Sequence, residues 1–489
     1  MRTFLHSHLW ISFLLMFGFG VIQLSAQSTS SSRRFSYRDL SSEFIQSDEA
    51  RRIGDQILLY QRNTGGWPKN IDMSRELSED EREQVKKDKT KTTDSTIDNG
   101  ATTQQMYFLA GLYQTTLQPR YKEGFLHGLD YLLSGQYENG GWPQIWPGSH
   151  GYHLHITYND NAIYNILKLF QAVIDEDFPY GGDLVDDAMR GRLKKSFDLA
   201  IECILESQIK VNGKPTVWCQ QYDEKTLLPA SARAFELPSY CSSESAPLVR
   251  LLMSLPDPDK RVKEAVHAAM KWFDTYKLTG LRYTRSQKGS GGQANSRLYE
   301  DPEARPIWAR YYDLQYSEPF VCDRDGLPRR RLEQIGTERR NGYKWFDTAP
   351  ASLYAQYNEW ADKYDKKHKL RISLDTPGAN KTGKIDLYRK PAIKLSDFDV
   401  VVKAGESIQK AIEKAPDQPE KPFKIFVKNG IYNQKVIIDK PNIVLVGEDK
   451  DSTRIFLAET SKTIQVPEYR GKKIPMGVIV LMEEADHCL

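Results

Sequence analysis

Two stretches of this chain nearly repeat each other. QRNTGGWPKN begins at Gln61 and QYENGGWPQI at Gln136, and each runs Gln, three residues, Gly, Gly, Trp, Pro. A Gly pair opens backbone conformations closed to other residues, and the Trp beside it offers a large packing surface. Both stretches adjoin segments such as GATTQQMYFLAGLYQTT, YKEGFLHGLDYLLSGQ and NAIYNILKLFQAVIDE, whose apolar residues recur every three or four positions, as on a helix. One kind of loop used twice between helices points to a mainly α fold, an α/α toroid of helical hairpins. Its loops gather at one end and leave a cleft where they meet, with each Trp packed on neighbouring helix ends.

The remaining organisation follows from composition. The N-terminal MRTFLHSHLWISFLLMFGFGVIQLSAQ has an early Arg2, an apolar run and small residues before Ala26, which reads as a signal peptide cleaved after Ala26 and a secreted or periplasmic product. An uncleaved anchor would need a longer apolar run. Residues 27–40 form a Ser-rich spacer, 41–370 the helical domain and 371–396 a linker rich in Lys, Pro and Gly. From 397 to 489 come short β-rich runs, FDVVV, FKIFVKNGIY, QKVIID and NIVLVGE, with one helix SIQKAIEKAP, and the sequence stops at EEADHCL as if within an element. Such spacing suggests a coil-by-coil β-solenoid that begins and is not finished. The 68 basic and 65 acidic residues give a net charge of +3, which argues against a nucleic-acid partner. Five cysteines without a CxxC pair are too few for a disulfide scaffold and wrongly spaced for structural zinc, leaving room for one disulfide. No second apolar stretch is long enough to span a bilayer, so the mature protein is expected to have no membrane span and to act as a monomer.

Four places concentrate polar residues beyond what a helical scaffold needs. In TIDNGATTQQ, Asp98 and Asn99 precede a helix, and in ITYNDNAIYN so do Asp160 and Asn161. Either pair could be an ordinary N-cap, but together they offer two sets of hard oxygen ligands of the kind that bind Ca2+. VWCQQYDEKTLLPASARAFELPS holds Trp218, Gln221, Asp223, Arg233 and Glu236, where a salt-bridged loop is the plain alternative. RPIWARYYDLQYSEPFVCDRDG interleaves Arg305, Arg310 and Arg324 with Trp308, Tyr311 and Tyr312. Guanidinium groups grip carboxylates bidentately while rings stack on sugars, so this pattern suits a polyanionic sugar, though a packed loop with surface arginines would look similar.

Taken together, TGGWPKNIDM, TIDNGATTQQMYFLA, GGWPQ, ITYNDNA, VWCQQYDEKTLLPASARAFELPS and PIWARYYDL with the following RDG resemble the family 10 polysaccharide lyases, the helical pectate lyases, across about residues 45 to 365. The resemblance implies an α/α toroid and Ca2+-dependent β-elimination of polygalacturonate. It implies Asp98, Asn99 and Asp160 as metal ligands and Arg233 as the base that removes the sugar C5 proton. It leaves Arg310 or Arg324 as the arginine on the substrate carboxylate, with Lys69, Trp67, Trp142 and Tyr311 also lining the substrate. Tyr222 stands where the family would have His. Free guanidinium is almost always protonated; a closely packed cationic site could lower the pKa of Arg233, or a small neutral fraction of so strong a base could suffice. The C-terminal stretch from VVVKAGESIQKAIEKAP to VLVGEDKDSTRIF resembles the start of a pectin methylesterase, a right-handed parallel β-helix, and stops short of that family's catalytic residues.

Rival readings are a triterpene cyclase, for which the DxDD or DCTAE run is missing, an inverting glycoside hydrolase using Asp98 and Asp160 as acid and base, and a pectin-binding module without turnover.

Overall fold

The computed structural model describes residues 35–286, 295–378, 395–417, 421–448 and 453–456, with the strand residues 468–469, 472–473 and 479–481. The expected signal peptide and most of the expected spacer and linker lie outside these. The chain divides into two compact units, Met1–Ile385 and Asp386–Leu489, with the boundary inside the expected linker.

The first unit is built on antiparallel helices: α1 (Asp48–Tyr60), α2 (Thr103–Thr116), α3 (Pro119–Ser134), α4 (Ala162–Ile174), α5 (Asp187–Ser207), α6 (Ser242–Ser254), α7 (Lys260–Tyr276) and α8 (Leu353–Tyr364). The connections α2–α3, α4–α5 and α6–α7 are short, whereas α1–α2, α3–α4, α5–α6 and α7–α8 are long. Residues of the long loops meet: Arg310 of α7–α8 bonds Asn159 of α3–α4, and Tyr343 of α7–α8 bonds Glu236 of α5–α6. Ser47, Asp186 and Asp259 cap α1, α5 and α7 with their side chains, as expected of such residues at helix starts. Their buried stripes, such as Ile53 and Ile57 of α1 and Val262, Val266 and Phe273 of α7, form the core.

The paired GGW loops have a common job. Gln61 donates from Nε2 to the Gly65 carbonyl (2.8 Å) and to the Gly124 carbonyl of α3 (2.9 Å). Gln136 does the same to Gly140 (3.0 Å) and to Ser196 of α5 (2.9 Å). The Trp67 indole N–H reaches the Ile57 carbonyl and Trp142 that of Leu132, each four residues before the glutamine. Two further copies carry the pattern: Gln208 bonds Thr216 and Ala265 of α7 while Trp218 bonds Ile204, and Trp308 bonds Phe273, four residues before Lys277. Each glutamine thus laces its loop to the next odd-numbered helix.

The first glycine of each pair is required by contact as well as by torsion. Gly65 (φ +96°) and Gly140 (φ +91°) lie against α3 and α5, where a Cβ would meet the carbonyls of His127 at 2.3 Å and Leu199 at 2.2 Å. Gly140→Ala is therefore expected to cost at least about 2 kcal/mol, the left-handed penalty plus a backbone clash. Gly151 (φ +56°) has nothing within 4 Å of a Cβ, so Gly151→Ala is expected to cost about 1 kcal/mol. Urea midpoints of the two variants check the difference.

Trp67 and Trp142 are 0% and 2% exposed. Their assignment to substrate contact is corrected here: the indoles are spent on core packing and on closing helix ends. Tyr311 is likewise fully buried, so its ring cannot stack on a ligand. Cys203, Cys219, Cys241 and Cys322 are buried free thiols, and no helix among the described residues is long and apolar enough to cross a membrane.

The second unit pairs its strands in parallel, apart from the antiparallel pair Glu468–Tyr469 and Lys472–Lys473. Val400–Val402, Phe423–Val427 and Ile443–Gly447 lie side by side, Gly430–Asn433 pairs with Thr453–Phe456, and Val436–Ile438 with Ile479–Leu481. Val402, Ile408, Ile412, Ile425, Val427, Val436, Ile438 and Ile443 form its core, with the short helix Ile408–Glu413 packed into it. Successive coils of one chain stacked in register produce such pairing.

Candidate active site

Each Trp loop returns to the next helix by one backbone bond, and the site grows from that bond. The carbonyls of Trp67, Trp142 and Trp218 accept from the amides of Thr96, Thr157 and Cys241. Two and three residues later come Asp98 and Asn99, Asn159 and Asp160, and Ser243 and Glu244. Asn99 (φ +53°) and Asp160 (φ +49°) adopt the same left-handed turn, a conformation that non-glycine residues hold where surroundings enforce it. The equivalence is therefore Asp98–Asn99 with Asn159–Asp160, not with Asp160–Asn161 as the sequence suggested. Neither carboxylate caps its helix, since no side-chain cap bond is made at either start. The N-cap reading of both motifs fails.

Two residues after each Trp stand Lys69, Gln144, Gln220 and Arg310. Lys69 pairs with buried Asp98. Arg310, buried, donates to Asn159 Oδ1 (2.6 Å), pairs with Glu244 and lies 3.9 Å from Asp160 Oδ1. Burial raises the pKa of Glu244, with Arg310 opposing it. Asp160, its side chain 42% exposed, is pushed above the usual carboxylate range by burial and by Asp98 and Glu236, against the pull of Arg310 and Arg233. Removing Glu244 would strand a buried guanidinium, so Glu244→Ala is expected to destabilise by about 3–5 kcal/mol, measurable as a fall in denaturation midpoint.

Arg233 reaches the same place from the long loop before α6. Its Nε and Nη2 fork onto Glu236 at 2.7 and 2.5 Å, with its side chain 44% exposed and that of Glu236 1%. Tyr343 donates to Glu236 Oε1 (2.8 Å) and meets the Tyr311 hydroxyl, which donates to Gln220 Oε1 (2.6 Å). The Tyr343 ring lies 4.6 Å from the guanidinium of Arg310 and 5.8 Å from that of Arg233, bridging the two. A cationic surrounding that could lower the pKa of Arg233 is not what its guanidinium meets. The fork to Glu236 holds it above its ordinary value. Burial tends to raise Glu236, but the bond to Arg233 prevails and keeps it low.

Arg324, 65% exposed and paired with Glu338, stands at the rim, 5.8 Å from the Phe235 ring that also carries Arg233. Tyr222 is buried and accepts from the Cys219 amide, as Tyr312 accepts from Ala309. The departure from the family's His thus belongs to a repeated turn, WCQQYD matching WARYYD. His155, Asp223 and Glu224 also bring ligand atoms within 4.8 Å of one another, but Asp223 Oδ1 caps the turn amides of Lys225 and Thr226 and His155 pairs with Glu224.

Asn159, Glu244, Gln220 and Tyr343 were not singled out from sequence. The Trp-plus-two series and the WxxxYD repeat are the signals that could have found Gln220, and nothing local marks Tyr343.

A family model described as Pectic acid lyase matches residues 61–354, spanning every residue of this site. The chain belongs to the pectic acid lyase family. A solved structure of the family 10 polysaccharide lyase from Cellvibrio cellulosa is 32% identical, covers 64% of this chain and 91% of its own, and superposes with a TM-score of 0.56. A mutant of a family 10 polysaccharide lyase from the same organism, in complex with trigalacturonic acid, is 30% identical over 67% of this chain and 96% of its own, with a TM-score of 0.57. The helical unit of this pectic acid lyase is thus an enzyme of the polysaccharide lyase class. A Pectinesterase model matches residues 400–474. Two curated relatives from Arabidopsis thaliana, probable pectinesterase/pectinesterase inhibitors 19 and 42, are 39% and 40% identical over 79 residues. The chain spans 15% of the length of either.

Proposed function

We propose that the protein is a secreted pectate lyase, its signal peptide cleaved after Ala26, that cuts α-1,4-polygalacturonate by Ca2+-dependent β-elimination and leaves 4,5-unsaturated oligogalacturonides. The observation that carries this is the meeting of two uncapped left-handed turns, bearing Asp98, Asn99 and Asp160, with the Arg233–Glu236 fork about one buried arginine. The fold that goes with it is an α/α toroid followed by a right-handed parallel β-helix.

The donors fit calcium. Asp98, Asn99 and Asp160 offer hard oxygens from adjoining turns, and Lys69 on Asp98 already supplies positive charge where a cation would sit. Bound Ca2+ would neutralise the sugar carboxylate and the charge that develops on it. Arg324 at the rim offers the accessible guanidinium to the polyanion, whereas Arg310 at the floor is buried on Asn159 and Glu244. The neutral form of Arg233 takes the C5 proton. The C5–H electron pair becomes the C4–C5 double bond, the bond to the O4 leaving group breaks, and the departing oxygen takes a proton from water. Glu236 and Tyr343 hold the fork of Arg233 in place through the step.

Mass analysis of products from pure polygalacturonate tests the reaction class. Fragments with unsaturated ends, one water lighter than hydrolysis products, are expected; saturated fragments alone would replace elimination by hydrolysis.

A further inference from the structure

The outer face of α7 carries a groove of about 980 Å³ that shares no residue with the site described. Its floor is apolar, with Pro215, Ala268, Trp272 and Tyr276, and its rim carries Lys214, Lys263 and Lys271. On α7, Lys260, Lys263, His267 and Lys271 follow at helical spacing and form one stripe along a helix about 25 Å long. Among the described residues Lys214, Lys263 and Lys271 make no ion pair, whereas the carboxylates of the groove are all engaged. Asp259 caps α7, Glu264 pairs with Lys260, and Asp365 takes His267 and His368. The indole N–H of buried Trp272 has no acceptor. Unpaired cations beside an aromatic and aliphatic floor complement a chain with a carboxylate on every ring and apolar ring faces.

We infer that this groove is a second, non-catalytic binding site for acidic polysaccharide, holding a stretch of polygalacturonate away from the point of cleavage. The inference rests on the proposed substrate. A chain long enough to occupy groove and cleft is retained by both, so the gain falls on polymer and not on short oligomers. It is carried by the exposed charges of Lys214 and Lys271 and the half-buried Lys263, so salt screens it.

The test is Lys214→Ser/Lys263→Ser/Lys271→Ser in the full chain, assayed on polygalacturonate and on tetragalacturonate at low and high salt. KM for polymer is expected to rise about tenfold at low salt, with kcat, the oligomer constants and Tm unchanged and the difference shrinking at high salt. An unchanged polymer KM would overturn the inference, as would equal losses on both substrates, which would place the lysines in the fold or the cleft. Retardation in a polygalacturonate gel reads the groove independently of turnover. Wild-type protein that neither cleaves nor is retarded would sink the groove. Protein that is retarded, less so as the triple variant, yet never cleaves would keep the groove and sink the proposed reaction.

Discussion

Arg233→Lys is expected to lower kcat by about three orders of magnitude while moving KM for polygalacturonate little. Lysine keeps the charge but cannot fork onto both oxygens of Glu236 as Arg233 does at 2.7 and 2.5 Å, so the reach and base strength of the group both change. Glu236 holds the guanidinium of Arg233 above its ordinary value, so the neutral fraction stays small throughout the working range. It grows about tenfold for each unit of pH. The wild-type kcat should therefore climb into the alkaline range before any other group intervenes. Near-wild-type turnover in the lysine variant, or a flat alkaline limb, would remove Arg233 from the base role and leave it as a salt-bridged arginine.

Asp160→Asn is expected to reduce activity by two orders of magnitude or more at a calcium level that saturates the wild type, because it removes one of the two proposed anionic ligands. The fold should survive, and the metal-free variant should melt no lower than wild type at pH 7. The sign follows from the carboxyl of Asp160, which burial, Asp98 and Glu236 raise in the folded state. A raised acid opposes folding once ionised, so the relief is present above the folded pKa and disappears below the ordinary carboxylate range. Calcium titration with melting curves at neutral and acid pH checks both halves. A large loss of Tm at pH 7 would make Asp160 a structural residue.

Part of this was legible in the sequence, for identifiable reasons. The first two GGW loops could be read because the glutamine, glycines and tryptophan fall at one local spacing. The copies at Gln208 and Lys277 could not, because ten residues separate Gln208 from Trp218 and thirty-one separate Lys277 from Trp308. The tryptophan bonds, and at Gln208 the glutamine bonds as well, form only after the chain has returned. Asp98 and Asp160 stood out as paired acids before helices, but the register that equates Asn99 with Asp160 is set by backbone torsion. Trp67, Trp142 and Tyr311 were misjudged as substrate contacts since a motif names a residue without saying which way its ring faces. The partnership of Glu236 with Tyr343 spans 107 residues and has no local sign.

Ca2+-dependent elimination leaves a product that absorbs where the substrate does not. Purified protein is incubated with polygalacturonate while near-ultraviolet absorbance of unsaturated ends is followed, first with calcium, then with excess chelator, then with calcium restored. A rise that stops with chelator and resumes with calcium is expected, while the helical circular dichroism signal stays constant. A rise indifferent to chelator, or no unsaturated product while the polymer shortens, would contradict it.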